Sequence, residues 1–207
     1  MHRYGRIGLA LGLVLLLAAG LLRTFWFDIQ FQRHRSLIEP AARQYNLPPR
    51  LIAAVIWQET RFDATRTGEA GEIGLMQVTR NAALDWVRAE HIRPFAAVML
   101  SNPVTNVLAG SWYLRHAIAR WADRPDPLPY ALAEYNAGPL NARRWAAAAR
   151  DRSPAAFLAA ITYPATRRYV RAILRHAGAP AAAGFKASRS AGSAAPPGPP
   201  CSPSPPP

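Results

Sequence analysis

Three observations predict an all-helical fold for this 207-residue chain. Apolar residues recur at helical spacing, most densely through Leu51-Ile52-Ala53-Ala54-Val55-Ile56-Trp57. Proline and glycine sit where helices start and stop, at Pro48-Pro49, Asn102-Pro103, Gly138-Pro139 and Gly178. No segment alternates apolar and polar residues as a half-buried strand would.

The first element is an apolar helix. Arg3 and Arg6 precede residues 7–22, which are uncharged and mainly apolar. A helix of that length spans ~24 Å, short of a ~30 Å hydrocarbon core. If Arg23 snorkels, residues 24–27 complete the span and Trp26 lies near the interface. Ala18-Ala19-Gly20 also offers small residues for signal-peptidase cleavage. Residues 1–27 are therefore either a retained signal-anchor helix or a cleaved signal peptide, and either one delivers the remaining chain to the periplasm. No cysteine comes after the apolar run within reach of it, so a lipid anchor is excluded. Residues 28–35 read as a linker.

Residues 36–177 read as one helical domain. Ser36-Leu37-Ile38-Glu39 has the capping-box pattern that opens a short helix. Pro48-Pro49 opens the next, which runs to about Thr60. Thr79 or Asn81 caps a helix through Leu84, Trp86 and Val87. Asn102 with Pro103 starts a helix over about 103–122. Another covers about 128–137 and stops at Gly138-Pro139. The last runs from Pro164 to about His176, with Arg167 and Arg168 flanking Tyr169 on what reads as a solvated face. Trp57, Trp86, Trp112, Trp121 and Trp145 read as core fillers, although aromatic side chains also stack on sugars. Residues 178–207, rich in Ala, Pro, Gly and Ser, read as a disordered tail carrying Cys201.

Composition narrows the chemistry. Twenty-five basic residues against twelve acidic ones give a formal charge of +13, spread over the whole chain. Such a surface favours polyanions, and the export segment points to the cell wall or membrane rather than nucleic acid. A single cysteine excludes a disulfide scaffold and an iron–sulfur protein. Five scattered histidines make no metal-binding spacing, so neither metal nor cofactor is expected.

Carboxylates remain as candidate chemistry. Glu59 continues the stripe of Ile52, Val55 and Ile56 at i+3 and i+4, so its carboxyl projects from the core face. It also lies in the last turn of its helix, where the macrodipole disfavours negative charge. Desolvation and dipole both raise the pKa, which suits a general acid. An ion pair with Arg61 is the competing structural reading. No second carboxylate is expected on a comparable apolar face, and Asp63, Glu69 and Glu72 are the nearest others. A two-carboxylate glycosidase needs its partner ~5–9.5 Å away, so a single-acid mechanism fits better.

Five motifs occur in order: E-T-R-F-D at 59–63, G-L-M-Q at 74–77, N-P-V-T-N-V-L-A-G at 102–110, A-E-Y-N-A-G at 133–138 and Y-P-A-T-R-R-Y-V at 163–170. Together they make residues 36–177 resemble the soluble lytic transglycosylase (SLT) domain family, whose fold is goose-type-lysozyme-like. The resemblance implies cleavage of peptidoglycan glycan strands between N-acetylmuramic acid and N-acetylglucosamine, without water. It also implies that Glu59 is the catalytic acid, then base, and that the product carries 1,6-anhydromuramic acid. Met76 and Gln77 match cleft-lining positions, Tyr135 matches the tyrosine near the acid, and Asn136 and Asn106 match positions of more structural character. Thr60, where the family usually has Ser, is carried as a substrate-side residue. Ala165 replaces a Glu that commonly faces the cleft, which weakens the expected peptide contacts. A water-using muramidase, and a wall-binding component of an envelope or secretion machine, are the alternative readings.

Overall fold

The computed structural model describes residues 2–178, and the side chains from residue 11 onward. The tail expected beyond Gly178, with Cys201, lies outside the described residues. The helices are α1 (His2–Arg33), α2 (Arg35–Gln44), α3 (Pro49–Thr60), α4 (Arg80–Ala89), α5 (Pro103–Arg120), α6 (Leu128–Ala148), α7 (Pro154–Ala160) and α8 (Pro164–Ala177), with a 3-10 turn at Ala97–Ser101. Among the described residues, β-type pairing is confined to isolated bridges joining Thr67 to Ile73 and Ile73 to Val78.

α3 is the centre of the bundle. Every residue from Leu51 to Trp57 is at most 4% exposed, and a helix that is apolar all round must be enclosed. α8 and α2 pack directly on it, while α5 and α6 pack on each other and reach α2 and α8 respectively. The five tryptophans expected in the core are all buried. Tryptophan is amphipathic, and Trp86 and Trp145 donate their indole N–H groups to Tyr45 and Thr162.

The expected helix starts hold where one side chain can cap. Asn102 Oδ1 accepts from the Val104 and Thr105 amides, and Thr79 rather than Asn81 caps α4. Two boundaries and one element within the domain differ from expectation. Ser36 is not a cap: α2 already starts at Arg35, and Glu39 is turned toward Arg35 and Arg43 instead of back to the helix start. Gly138-Pro139 does not end α6. Gly138 leaves helical geometry at φ 82°, and Pro139 opens a second helical stretch to Ala148. α7 is an addition to the expected elements, too short to show a period in the sequence. Ser153 caps it through the Ala156 amide, with Pro154 at its first position.

The N-terminal helix does not stop where the apolar run stops. Residues 28–33, expected as linker, continue α1. Apolar side chains along residues 11–22 are exposed, as are Phe25 and Trp26, whereas Phe27 is 1% exposed. Its ring meets Trp57 edge-on at 5.9 Å and His176 at 4.7 Å. Arg50 lies 5.1 Å from the ring centroid, while pairing with Asp28 at 2.9 Å and donating to the His176 carbonyl. Phe27 is thus a core residue of the helical domain supplied by α1. Phe27→Ala is expected to cost about 3 kcal/mol or more of unfolding free energy, the usual penalty for truncating a buried aromatic. Denaturation of the detergent-solubilised full chain measures this, and a loss below about 1 kcal/mol would mean that α1 is merely adjacent.

Candidate active site

The last turn of α3 carries Glu59 out of the enclosed stretch, and its side chain is half-buried. The chain then reverses without glycine. Arg61 and Phe62 both take positive φ, 58° and 68°, a conformation that non-glycine residues seldom adopt. Packing holds it: Phe62 is buried and stacks on His34 at 4.6 Å, and the Asp63 amide bonds the Thr60 carbonyl. Arg61 does not pair with Glu59. It lies over the Trp57 ring and donates to the Trp57 carbonyl.

The glycine segment folds into a tight turn beside this helix end. Gly74 takes φ 72°, and a Cβ there would lie 2.6 Å from Asn106 Nδ2, so both conformation and space require glycine. The backbone of residues 73–76 is largely enclosed but not helical, so its polar groups need partners. Three side chains from three helices supply them. Asn106 on α5, fully buried, accepts from the Met76 amide and donates to the Ile73 and Leu100 carbonyls. Thr60 on α3 donates to the Leu75 carbonyl at 3.0 Å. Tyr135 on α6 donates to the Met76 carbonyl at 2.8 Å.

This arrangement revises two expected positions. Thr60 is 3% exposed with its hydroxyl turned to the interior, so it ties α3 to the turn and does not reach a substrate. Met76 does not line an opening with its side chain, which is 0% exposed and packed against Gly110, where an added Cβ would come within 2.7 Å of its sulfur. Gln77 is half-buried and braces the turn by donating to the Arg66 and Gly74 carbonyls. Asn136 is exposed and accepts from Thr166, joining α6 to the first turn of α8. Ala165 is exposed beside it.

Tyr169 does not lie on a solvated face, despite the arginines before it. It is 5% exposed and donates to Glu59 Oε1 at 2.6 Å. Thr166, Val170 and Ile173, its i−3, i+1 and i+4 neighbours, are also buried, a helical stripe readable in the sequence. Burial, and then the nearby Glu59 carboxylate, pushes both Tyr135 and Tyr169 well above the usual phenol pKa, so both remain neutral donors. Desolvation pushes Glu59 up to about 7, partly opposed by the Tyr169 hydrogen bond; Glu72 raises it further and Arg66 lowers it.

A second buried carboxylate does exist, against expectation. Glu134 is 1% exposed on α6. Arg120 clamps one of its oxygens, and Trp121 Nε1 donates to the other at 2.7 Å. Both oxygens are occupied, so Glu134 is an ion-paired core residue with no access to a substrate. Among the candidates on the loop, Asp63 is exposed and bonded to Thr65, and Glu69 is exposed. Glu72 is half-buried and accepts from the Ala70 amide.

Residues 36–158 match the profile of the Transglycosylase SLT domain. The chain is 38% identical over 109 residues to a protein named membrane-bound lytic murein transglycosylase F from Desulfosudis oleivorans, covering 51% of this chain and 22% of that one. It is 28% identical over 132 residues to the soluble lytic murein transglycosylase of Escherichia coli K12, covering 63% of this chain and 20% of that one. The chain thus spans about a fifth of the length of these curated relatives. Its fold is similar to the crystal structure of an inactive Glu-to-Gln mutant of the lytic transglycosylase Slt from Pseudomonas aeruginosa, with a TM-score of 0.63 and 27% identity, covering 70% of this chain and 23% of that one.

Two stability measurements check this site. Asn106→Ala strands one buried amide and two carbonyls, and is expected to cost about 3 kcal/mol or more in urea unfolding. Glu59→Gln is expected to stabilise. A carboxyl with a folded pKa near 7 and an unfolded value of 4.5 destabilises the fold as pH rises between those values. The variant therefore gains roughly 3 kcal/mol at pH 8 and almost nothing at pH 4. A gain that does not depend on pH would contradict the raised pKa.

Proposed function

Because the chain belongs to the Transglycosylase SLT domain family, we propose that it is a peptidoglycan lytic transglycosylase acting between N-acetylmuramic acid and N-acetylglucosamine, with Glu59 as its acid and then its base. One observation carries the reading. Glu59 is a half-buried carboxyl with a pKa pushed up to about 7, held by a neutral tyrosine. Such a group is substantially protonated at neutral pH and can also return as a base.

In this mechanism Glu59 gives its proton to the glycosidic oxygen as the bond from that oxygen to the muramic C1 breaks. The muramic C6 hydroxyl then closes on C1, and its proton passes to the Glu59 carboxylate, restoring the acid. Water is neither consumed nor released. The Tyr169 phenol is the positioning donor: its hydrogen bond fixes Glu59 Oε1 and stabilises the carboxylate formed midway. Tyr135 acts at one remove, holding the turn that borders the acid. Gln77, half-buried, and Asn136, exposed, are the proposed substrate contacts. A hydrolytic muramidase is the second reading. Its support is Glu72, whose charge is close enough to raise the Glu59 pKa and which would have to orient a water.

The reading extends to location. Leu11–Arg33 contains an 18-residue window with a mean hydropathy of 1.7 and is long enough to cross a bilayer. We infer that α1 is a retained anchor in the inner membrane and that the domain lies in the periplasm, a reading supported by the length and apolar character of α1.

Digestion of purified sacculi by the detergent-solubilised full chain, read by mass spectrometry, tests the activity. The expected products are one water lighter than hydrolytic muropeptides, and Glu59→Gln is expected to lower the rate by about 10³-fold. Hydrated products lost in Glu72→Gln would transfer the case to the muramidase. The rate is expected to fall as pH rises through about 7, the Glu59 value. Tyr169→Phe, which removes a hydrogen bond that lowers that pKa, is expected to move the alkaline limb upward while reducing kcat.

A further inference from the structure

We propose that the foot of α1 is a docking surface for anionic phospholipid, formed by Arg23 of α1, Arg61 at the end of α3 and Arg175 in the last turn of α8, which holds the domain flat against the membrane. The proposal rests on α1 being a membrane anchor, and it adds what the domain does at the bilayer surface.

The boundary between lipid-facing and protein-facing residues on α1 is a single peptide bond. Leu21, Leu22, Phe25 and Trp26 are 49 to 71% exposed, and Phe27 is 1% exposed. Because α1 is helical throughout, no flexible segment separates membrane span from domain. Trp26 and Phe25 suit the interfacial layer, where aromatic side chains concentrate. Directly beyond them α1 packs on the helical domain through Phe27 and the half-buried Phe31, so the domain must touch the headgroup region.

The surface brought to that level is cationic. Arg23, Arg61 and Arg175 are all exposed, and among the described residues none of the three is ion-paired. Packing gathers them around one cluster: Arg23 is one turn before Phe27, whose ring is 4.7 Å from His176, Arg175 precedes His176, and Arg61 lies over Trp57, whose ring is 6.4 Å from His176. Arg23 and Arg66 bear electrostatically on Arg61, and Arg23, Arg175 and Arg61 all bear on His176. Phe27 and Asp28 fix the geometry, with Asp28 paired to Arg50. Burial, and then the nearby Arg23, Arg175 and Arg61, lower the pKa of His176, partly opposed by its hydrogen bond to the Ala172 carbonyl. Like charges gathered together repel, and a phosphate held by guanidinium forks removes that repulsion. At this depth along a membrane helix, the phosphates at hand are those of lipid headgroups. The consequence is an active site kept at the membrane, since Arg61 is two residues from Glu59.

Native mass spectrometry of the full chain released from micelles containing phosphatidylglycerol or phosphatidylcholine tests this. Wild type is expected to retain phosphatidylglycerol preferentially, and Arg23→Gln to weaken retention about fivefold, the effect typical of one juxtamembrane cation. Arg23→Lys should preserve it. Arg23 is exposed and lies outside the buried core, so the variant is not confounded by unfolding. Equal retention of the two lipids, or retention unchanged in Arg23→Gln and in the variant also carrying Arg61→Gln and Arg175→Gln, would overturn the proposal. Loss of salt-sensitive sacculus binding in those variants, with lipid retention unchanged, would overturn it in favour of the wall polymer. Extraction of wild type from membranes by alkaline carbonate would overturn the anchor itself, a failure distinct from the others.

Discussion

A short enclosed backbone that is neither helix nor strand, residues 73–76, must find hydrogen-bond partners for its amides and carbonyls. Asn106, Thr60 and Tyr135 provide them from α5, α3 and α6. This requirement locks three helices to one turn. It fixes the end of α3, and with it the position of Glu59. An unsatisfied buried amide or carbonyl costs on the order of 1–3 kcal/mol, so the set is stable only when complete. The same constraint explains the two glycines whose side-chain space is taken by Asn106 and Met76.

Around this frame the carboxylates are sorted by their surroundings. Glu134 is the more deeply buried, but it is neutralised by Arg120 and Trp121 and stays in the core. Glu59 has a phenol as its close partner, so desolvation dominates and its pKa rises to about 7. Burial alone does not make an acid. Burial without a cation does, provided that one edge of the group remains open. The consecutive left-handed residues Arg61 and Phe62 end α3 at Thr60, so Glu59 stays in its last turn.

The N-terminal helix joins the same network of contacts. Phe27 packs against both Trp57 and His176, and Trp57 lies two residues before Glu59 on α3. α1, the core and the helix that carries Glu59 are therefore one mechanically continuous unit, in which the orientation of the site relative to α1 is set by packing and not by a tether.

Much of this is legible in the sequence. Periodicity and caps specify α3, α4, α5 and α8, because those signals are local and strong. The position of Glu59 on an apolar stripe, and the direction of its pKa shift, follow from helix geometry alone. Sequence does not decide which way side chains turn once helices meet. Thr60 and Met76, adjacent in motif to Glu59 and Gln77, point inward because the turn at 73–76 needs a donor and the space beside Gly110 needs filling. Tyr169 lies on a readable stripe, yet its partner is 110 residues away. Glu134 follows Tyr130 and Ala131 at i+4 and i+3, so its burial is readable, but its partner Arg120, fourteen residues before it on another helix, is not. Linear order determined most of the elements and singled out Glu59 as the candidate carboxyl. Long-range packing decided its hydrogen-bond partner, its competitors and its distance from α1, because each of those depends on contacts between residues that only the assembled bundle brings together.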